Sequence, residues 1–370
     1  MANVDKLFKI RNSFDYSEEN DSLFVESMKE MILFHREHSR IFNGICEQYG
    51  FDLNKYEDID DVLNTPHIMV TAFKERKILS VDESEIVQTF TSSGTSGSMS
   101  QTNWDEISKS RQEFTREAIV DTYGLLSDKE VNYICFSYSP KISGNKGAAH
   151  THSAYTGFAP AKEIFYAIDR DSNGKDVFLI EQCQQALERF YNSGLPLRIT
   201  GFPAFAYITL KKLFENGVKY NFPEDSVMFS GGGWKLYSGE EVSMDEYSAM
   251  VKEVLGIDRS RIRDVFGMVE HGIPYITCEH GNFHVPIYAR VCAVDPYTMK
   301  ILPDGEKGLL KLITPYIRSV PAISVLSTDW AETRSKCSCG RKGKYIVLKG
   351  RAGVKKYSGC AISATQILGQ

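Results

Sequence analysis

Between Val131 and Gly256 short apolar runs alternate with stretches of helical spacing, and this alternation narrows the choice of fold more than any other feature. "VNYICFSY", residues 131–138, reads as a strand. "DVFLIEQCQQALERFYNSGLP" reads as a helix ended at Ser193-Gly194, because glycine takes the left-handed conformation that stops a helix. "LRITGFP" is a short strand leading into a helix over 204–216, and "SVMFSGGGW" is a buried strand ending in three glycines. "SMDEYSAMVKEVLG" opens on a capping box, Ser243 with Glu246, and stops at Gly256. Strands and helices in alternation predict an α/β fold.

The flanks differ in texture. Phe24, Met28, Met31, Ile32, Phe34, Ile41 and Ile45 recur at helical spacing, as one long helix or two short ones over about 22–49. Pro66 marks a turn, and a further helical pattern runs over 105–126. "SPKISGNKGAAHTHSAYTGFAP" reads as a long irregular stretch of the sort that lines a pocket. Within it His150 and His152 fit either a pocket or the surface. After Asp258 strands dominate: "RIRDVFGMVE", "HVPIYARVCAVDP", "KGLLKLITP", "AISVLSTDW" and "KYIVLKGR". The expected organisation is a large α/β core over 1–350, a β-rich subdomain at about 275–345, and a short tail over 351–370.

Bulk properties exclude several classes. A net charge of −5 offers no basic face for nucleic acid. There is no run of 18 apolar residues, so no membrane span is expected. The first residues lack the apolar core of a signal peptide, which points to the cytoplasm. The eight cysteines are then expected reduced rather than paired as a disulfide framework.

"TFTSSGTSGSMSQ", residues 89–101, is rich in hydroxyls and carries no positive charge. It fits a flexible polar linker or a cradle in which backbone N–H groups crowd a phosphate. It is not a Walker A loop, since no Lys follows Gly97. Four later stretches bear on the choice. "SGGGW", 230–234, ends a strand in bare backbone against which a flat ring can lie. "DVFGMVEHG", 264–272, sets Glu270 after a strand and a glycine turn. "STDWAE", 327–332, sets Asp329 at another strand end. "LKGRAGVKKYSG", 348–359, brings in Arg351.

In this order and spacing the five stretches resemble the adenylate-forming enzymes: acyl-CoA ligases, adenylation domains and firefly-type luciferases. The resemblance implies that Ser92, Ser93, Gly94, Thr95, Ser96 and Gly97 hold the phosphates of ATP. It implies that Gly231, Gly232, Gly233 and Trp234 flank the adenine, that Glu270 helps bind Mg²⁺, and that Asp329 and Arg351 reach the ribose. Ser100 stands where the loop usually ends in Lys or Arg, and Lys235 is an alternative cation.

"FTSSGTSG", "GGGWK", "RIRDVF", "HVP" and "GCAIS" are similar to the LuxE-type acyl-protein synthetases over most of the chain. That resemblance implies ATP-dependent activation of a long-chain fatty acid, transfer of the acyl group to Cys360, and onward transfer to an acyl-protein or acyl-CoA reductase. Only 19 residues follow Arg351, where adenylate-forming ligases usually continue into a further domain. Such a domain is therefore expected to be absent here, with the Cys360 tail as acceptor. The alternatives are transfer to CoA or to a carrier protein. Cys278, His284, Cys337 and Cys339 resemble instead the phenylacetate-CoA ligase branch, where such residues build a structural zinc knot; His280 is a second choice for the histidine.

Overall fold

In the computed structural model, which describes residues 2–91, 101–233 and 242–352, the strand Val131–Tyr138 is buried along its whole length. Such burial belongs to the middle of a parallel sheet covered on both faces. Leu197–Gly201, Val227–Gly231 and Ile262–Phe266 follow it in parallel on one side, and Ala161–Arg170 pairs in parallel on the other. The short strands Tyr275–Ile276 and Asp176–Phe178 close the two edges antiparallel, giving a seven-stranded sheet among the described residues.

The helices Ile180–Asn192, Pro203–Glu215 and Met244–Leu255 cover one face. They bury Leu187, Phe190, Leu210, Leu213, Val251 and Leu255. Each such side chain contributes about 1.5–3 kcal/mol when fully buried. The capping box at Ser243 and Glu246 is present, and Gly256 ends its helix at φ +75°.

A second sheet has the order Phe283–His284, Tyr345–Arg351, Ser324–Arg334, Gly308–Ile313, Arg290–Val294, all antiparallel. Ile68–Met69 joins it in parallel beside Ser324–Arg334. A core containing Phe24, Met28, Ile32, Tyr275, Tyr288 and Tyr316 binds the N-terminal helices to both sheets. The first apolar stretch forms two helices, Glu18–His38 and Arg40–Gln48. Ser39 stands between them in an extended conformation and caps the second.

Residues 139–160 are not irregular as expected. They form the helical segments Pro140–Ser143, Gly147–Ala154 and Tyr155–Gly157. Small residues and histidines give Gly147–Ala154 no apolar period, so the sequence shows no helix. No helix among the described residues is long and apolar enough to cross a membrane.

Candidate functional site

Read in chain order, the five parallel strands stand in space as second, first, third, fourth, fifth. Connections leave the sheet in opposite directions between Val131–Tyr138 and Leu197–Gly201. Open α/β sheets bind ligands at the carboxyl ends of their strands at such a point. Tyr138, Gly201 and Gly231 end the strands there.

The rim of this crevice is built from rings and bare backbone. Gly201 has φ +130°, and a Cβ there would lie 2.4 Å from the Phe136 carbonyl oxygen. The strand thus turns where only glycine fits. Phe202 follows, edge-on to Tyr138 at 6.4 Å and to His152 at 4.7 Å between ring centres. A Cβ on Gly231 would sit 3.5 Å from His152 Nε2, and one on Gly232 would sit 2.9 Å from the Phe202 ring. Gly232 and Gly233 both have positive φ and are exposed. The glycines therefore leave open a face bounded by Phe202 and His152.

His152 is buried, not on the surface. Its Nδ1 pairs with Ser137 Oγ at 2.9 Å, and burial lowers its pKa to about 4, so the ring is neutral near pH 7.

The segments that lead into the Ser/Thr/Gly loop and into Glu270 meet at the start of the helix Gly147–Ala154. Thr91 donates its backbone N–H to Asn145 O at 2.9 Å and its hydroxyl to the same oxygen at 3.1 Å. A Cβ on Gly147 would lie 3.6 Å from Thr91 O and 2.6 Å from Val269 Cγ1. Thr91 directly precedes Ser92, and Val269 directly precedes Glu270, whose side chain is buried. Ser92, Ser93, Gly94, Thr95, Ser96, Gly97, Trp234, Lys235 and Cys360 lie outside the described residues.

Asp329 and Arg351 face each other on paired strands of the second sheet. Arg351 Nε donates to Asp329 Oδ1 at 2.8 Å, with the aspartate buried and the arginine half-exposed. Asp329 also donates its backbone N–H to Ser327 Oγ, which fixes the turn of the strand.

Cys278, His284, Cys337 and Cys339 converge so that their ligand atoms all lie within 4.8 Å of one another. His280 is exposed and outside the group. Two tight turns present the thiols. Gly281 N–H bonds to Cys278 O, and Gly340 N–H bonds to Cys337 O. The Cys278 and Cys337 sulfurs are 3.8 Å apart, and Cys339 Sγ is 3.1 Å from His284 Nε2. A disulfide needs about 2.05 Å. Two sulfurs about 2.3 Å from one tetrahedral ion stand about 3.8 Å apart.

Burial pushes the Cys278 thiol up to about 11. Burial acts on Cys337 too, but the Cys339 backbone N–H and the Asn282 amide, 3.1 Å away, bring it below its ordinary value. Around the group, Arg341 pairs with Glu279 at 2.8 Å, and the Arg263 and Arg341 guanidiniums both lie over the Tyr123 ring. Arg263 Nε and Nη1 are buried without a hydrogen-bond partner. Were a divalent ion bound to deprotonated Cys278, Cys337 and Cys339, the three thiolates and Glu279 would carry four negative charges, matched by the ion and the Arg263 and Arg341 guanidiniums.

Long-chain-fatty-acid–luciferin-component ligase of Vibrio harveyi is 24% identical over 351 residues, covering 94% of this chain and 89% of its own length. The ligase of the same name from Aliivibrio fischeri is 22% identical over 369 residues, covering 99% and 94%. Among solved structures, 2-hydroxyisobutyryl-CoA ligase in a postadenylation state superposes with a TM-score of 0.67 at 16% identity, over 92% of this chain and 69% of that one. The fold is accordingly that of an acyl-CoA-ligase-like, adenylate-forming enzyme. The acyl-protein synthetase family, LuxE, matches residues 1–369, and the chain belongs to that family.

Proposed function

We propose that this acyl-protein synthetase activates a long-chain fatty acid with ATP and carries the acyl group on Cys360 before delivering it to a reductase. As a member of its family the chain is an ATP-dependent acid ligase. The observation that carries the site assignment is the meeting of Thr91 and Val269 on Gly147. It supports a shared phosphate and metal site at the carboxyl edge of the parallel sheet.

In the first half-reaction a carboxylate oxygen attacks the α-phosphorus, and the bond from that phosphorus to the pyrophosphate oxygen breaks. Ser92, Ser93, Gly94, Thr95, Ser96 and Gly97 hold the phosphates through N–H and O–H donors. Gly231, Gly232, Gly233 and Trp234 flank the adenine, and Asp329 with Arg351 holds the ribose hydroxyls. Glu270 would hold Mg²⁺, which would supply charge neutralisation at the phosphates. In the second half-reaction the Cys360 thiolate attacks the acyl carbonyl carbon and AMP leaves with the electrons of the carbon–oxygen bond. A thioester remains on the chain.

Cys278, His284, Cys337 and Cys339 fit a structural zinc. The donors are soft, four in number, and spaced as a tetrahedral ion requires. Such an ion would tie the edge of the first sheet to the Ser324–Arg334/Tyr345–Arg351 hairpin of the second.

The test is acid-dependent ATP–pyrophosphate exchange over a series of fatty acids, followed by labelled acyl transfer. The reading expects exchange with long-chain acids and a hydroxylamine-labile acyl group on the protein. Exchange without such a group, together with acyl-CoA formation, would overturn the Cys360 half of it.

A further inference from the structure

The Ser/Thr/Gly loop brings no cation to the phosphates: residues 89–101 contain neither Lys nor Arg. Two highly charged anions react here, and fixed positive charge must oppose the charge that builds on the departing pyrophosphate. We infer that Lys146 supplies it. The inference rests on the adenylation reading given above.

Lys146 stands where the relevant segments meet. It forms a parallel bridge with Thr91, the residue before the loop. Its neighbour Gly147 touches Val269, the residue before Glu270. Its ammonium lies 4.6 Å from the centre of the Tyr138 ring, at the end of the central strand. Tyr138 in turn meets Phe202, which bounds the glycine face. The lysine thus sits at the phosphate end of a crevice whose other end is Gly231–Gly233.

Among the described residues no carboxylate forms an ion pair with Lys146. Among the described residues its ammonium donates one hydrogen bond, a long contact of 3.5 Å to Ile142 O. The helix Gly147–Ala154 has no acidic residue in its first turn. Several other cations are spent: Lys129, Arg189 and Lys219 on surface carboxylates, Arg111, Arg290 and Arg318 on carboxylates of the N-terminal half. A lysine held by an aromatic face rather than a carboxylate keeps its full charge for an incoming anion.

Lys146→Met and Lys146→Arg, in the full-length protein, test this by ATP–pyrophosphate exchange with a fatty acid that the parent accepts. Lys146→Met is expected to lower exchange about 100-fold or more and to raise the KM for pyrophosphate, with the KM for the fatty acid unchanged. Lys146→Arg is expected to recover most of the loss, since a second cation answers the same charge. Matched thermal unfolding of both variants separates chemistry from folding. Normal exchange by Lys146→Met overturns the assignment, and so does equal loss in Met and Arg variants at unchanged stability. Loss in Lys235→Met with normal Lys146→Met moves the role to Lys235. No exchange by the parent with any acid overturns the adenylation reading instead.

Discussion

Arg351 and Asp329 are register partners on neighbouring strands, and a 2.8 Å ion pair joins them while both are assigned to the same ribose. The aspartate is held in place by its strand and by this contact, so its acceptor oxygens are set before nucleotide arrives. Asp329→Ala is expected to weaken ATP binding by about 1–3 kcal/mol, the cost of leaving buried polar partners unmatched. Unchanged ATP affinity by calorimetry sinks the assignment.

Glu270 is buried beside the loop approach, and an amide is a poor Mg²⁺ ligand. Glu270→Gln is expected to abolish most pyrophosphate exchange. Thr95→Val, removing one phosphate donor, is expected to lose about 100-fold. Normal exchange by both variants would put the active site elsewhere.

Cys360→Ser should divide the reaction. Exchange persists, because adenylation precedes the thiol, while hydroxylamine-labile label on the protein disappears. A variant that labels like the parent means another acceptor.

Purified protein is expected to hold about one zinc per chain, and Cys339→Ala far less. Because Arg263 would offset part of the negative charge of a thiolate-bound zinc, Arg263→Met should release zinc to a chelator about 10–100-fold faster, as loss of a supporting residue around a metal does. Elemental analysis finding no zinc in the parent ends the idea.

Stability should fall on mild acidification. His35 is buried between Ser80 Oγ and Ile317 O, and desolvation lowers its pKa from 6.5 to about 3, with repulsion from His38, Arg111 and Arg318 acting the same way. Below pH 6.5 the unfolded chain takes up a proton that the folded chain refuses until about pH 3. The contribution is intact above 6.5 and declines as pH falls, by about 2 kcal/mol between 6.5 and 5. His35→Gln should flatten that slope in urea melts at several pH values; an unchanged slope rules out His35 as its source.

The parts of this molecule that could be read from text were those with local grammar. Val131–Tyr138 announces itself through consecutive β-formers, and Ser243 with Glu246 through cap spacing. Asp329 and Arg351 were recognisable by motif, yet their contact depends on a strand register that no local pattern states. Ala161–Arg170 escaped notice because Lys162, Glu163 and Arg170 make a half-exposed strand look like surface. The four metal-ligand candidates were visible as residue types, but Cys278 and Cys337 are 59 residues apart, and only the fold decides between His284 and His280. Lys146 had no signature at all: its meaning lies in what the loop lacks and in which segments touch Gly147.

Ala352, at the end of the described residues, donates its N–H to Thr328 O at 2.8 Å. Cys360 is eight residues farther along. Fully extended, eight residues span at most about 28 Å. The thiol is therefore leashed within a sphere of that radius around the end of the hairpin that carries Asp329 and Arg351. One thiol in such a volume is on the order of 10 mM, the regime of a short tether. On the proposed reading, an acceptor at that local concentration does not have to be found by diffusion, and the proposed reductase would have to bring its own nucleophile inside the same 28 Å or so to receive the acyl group.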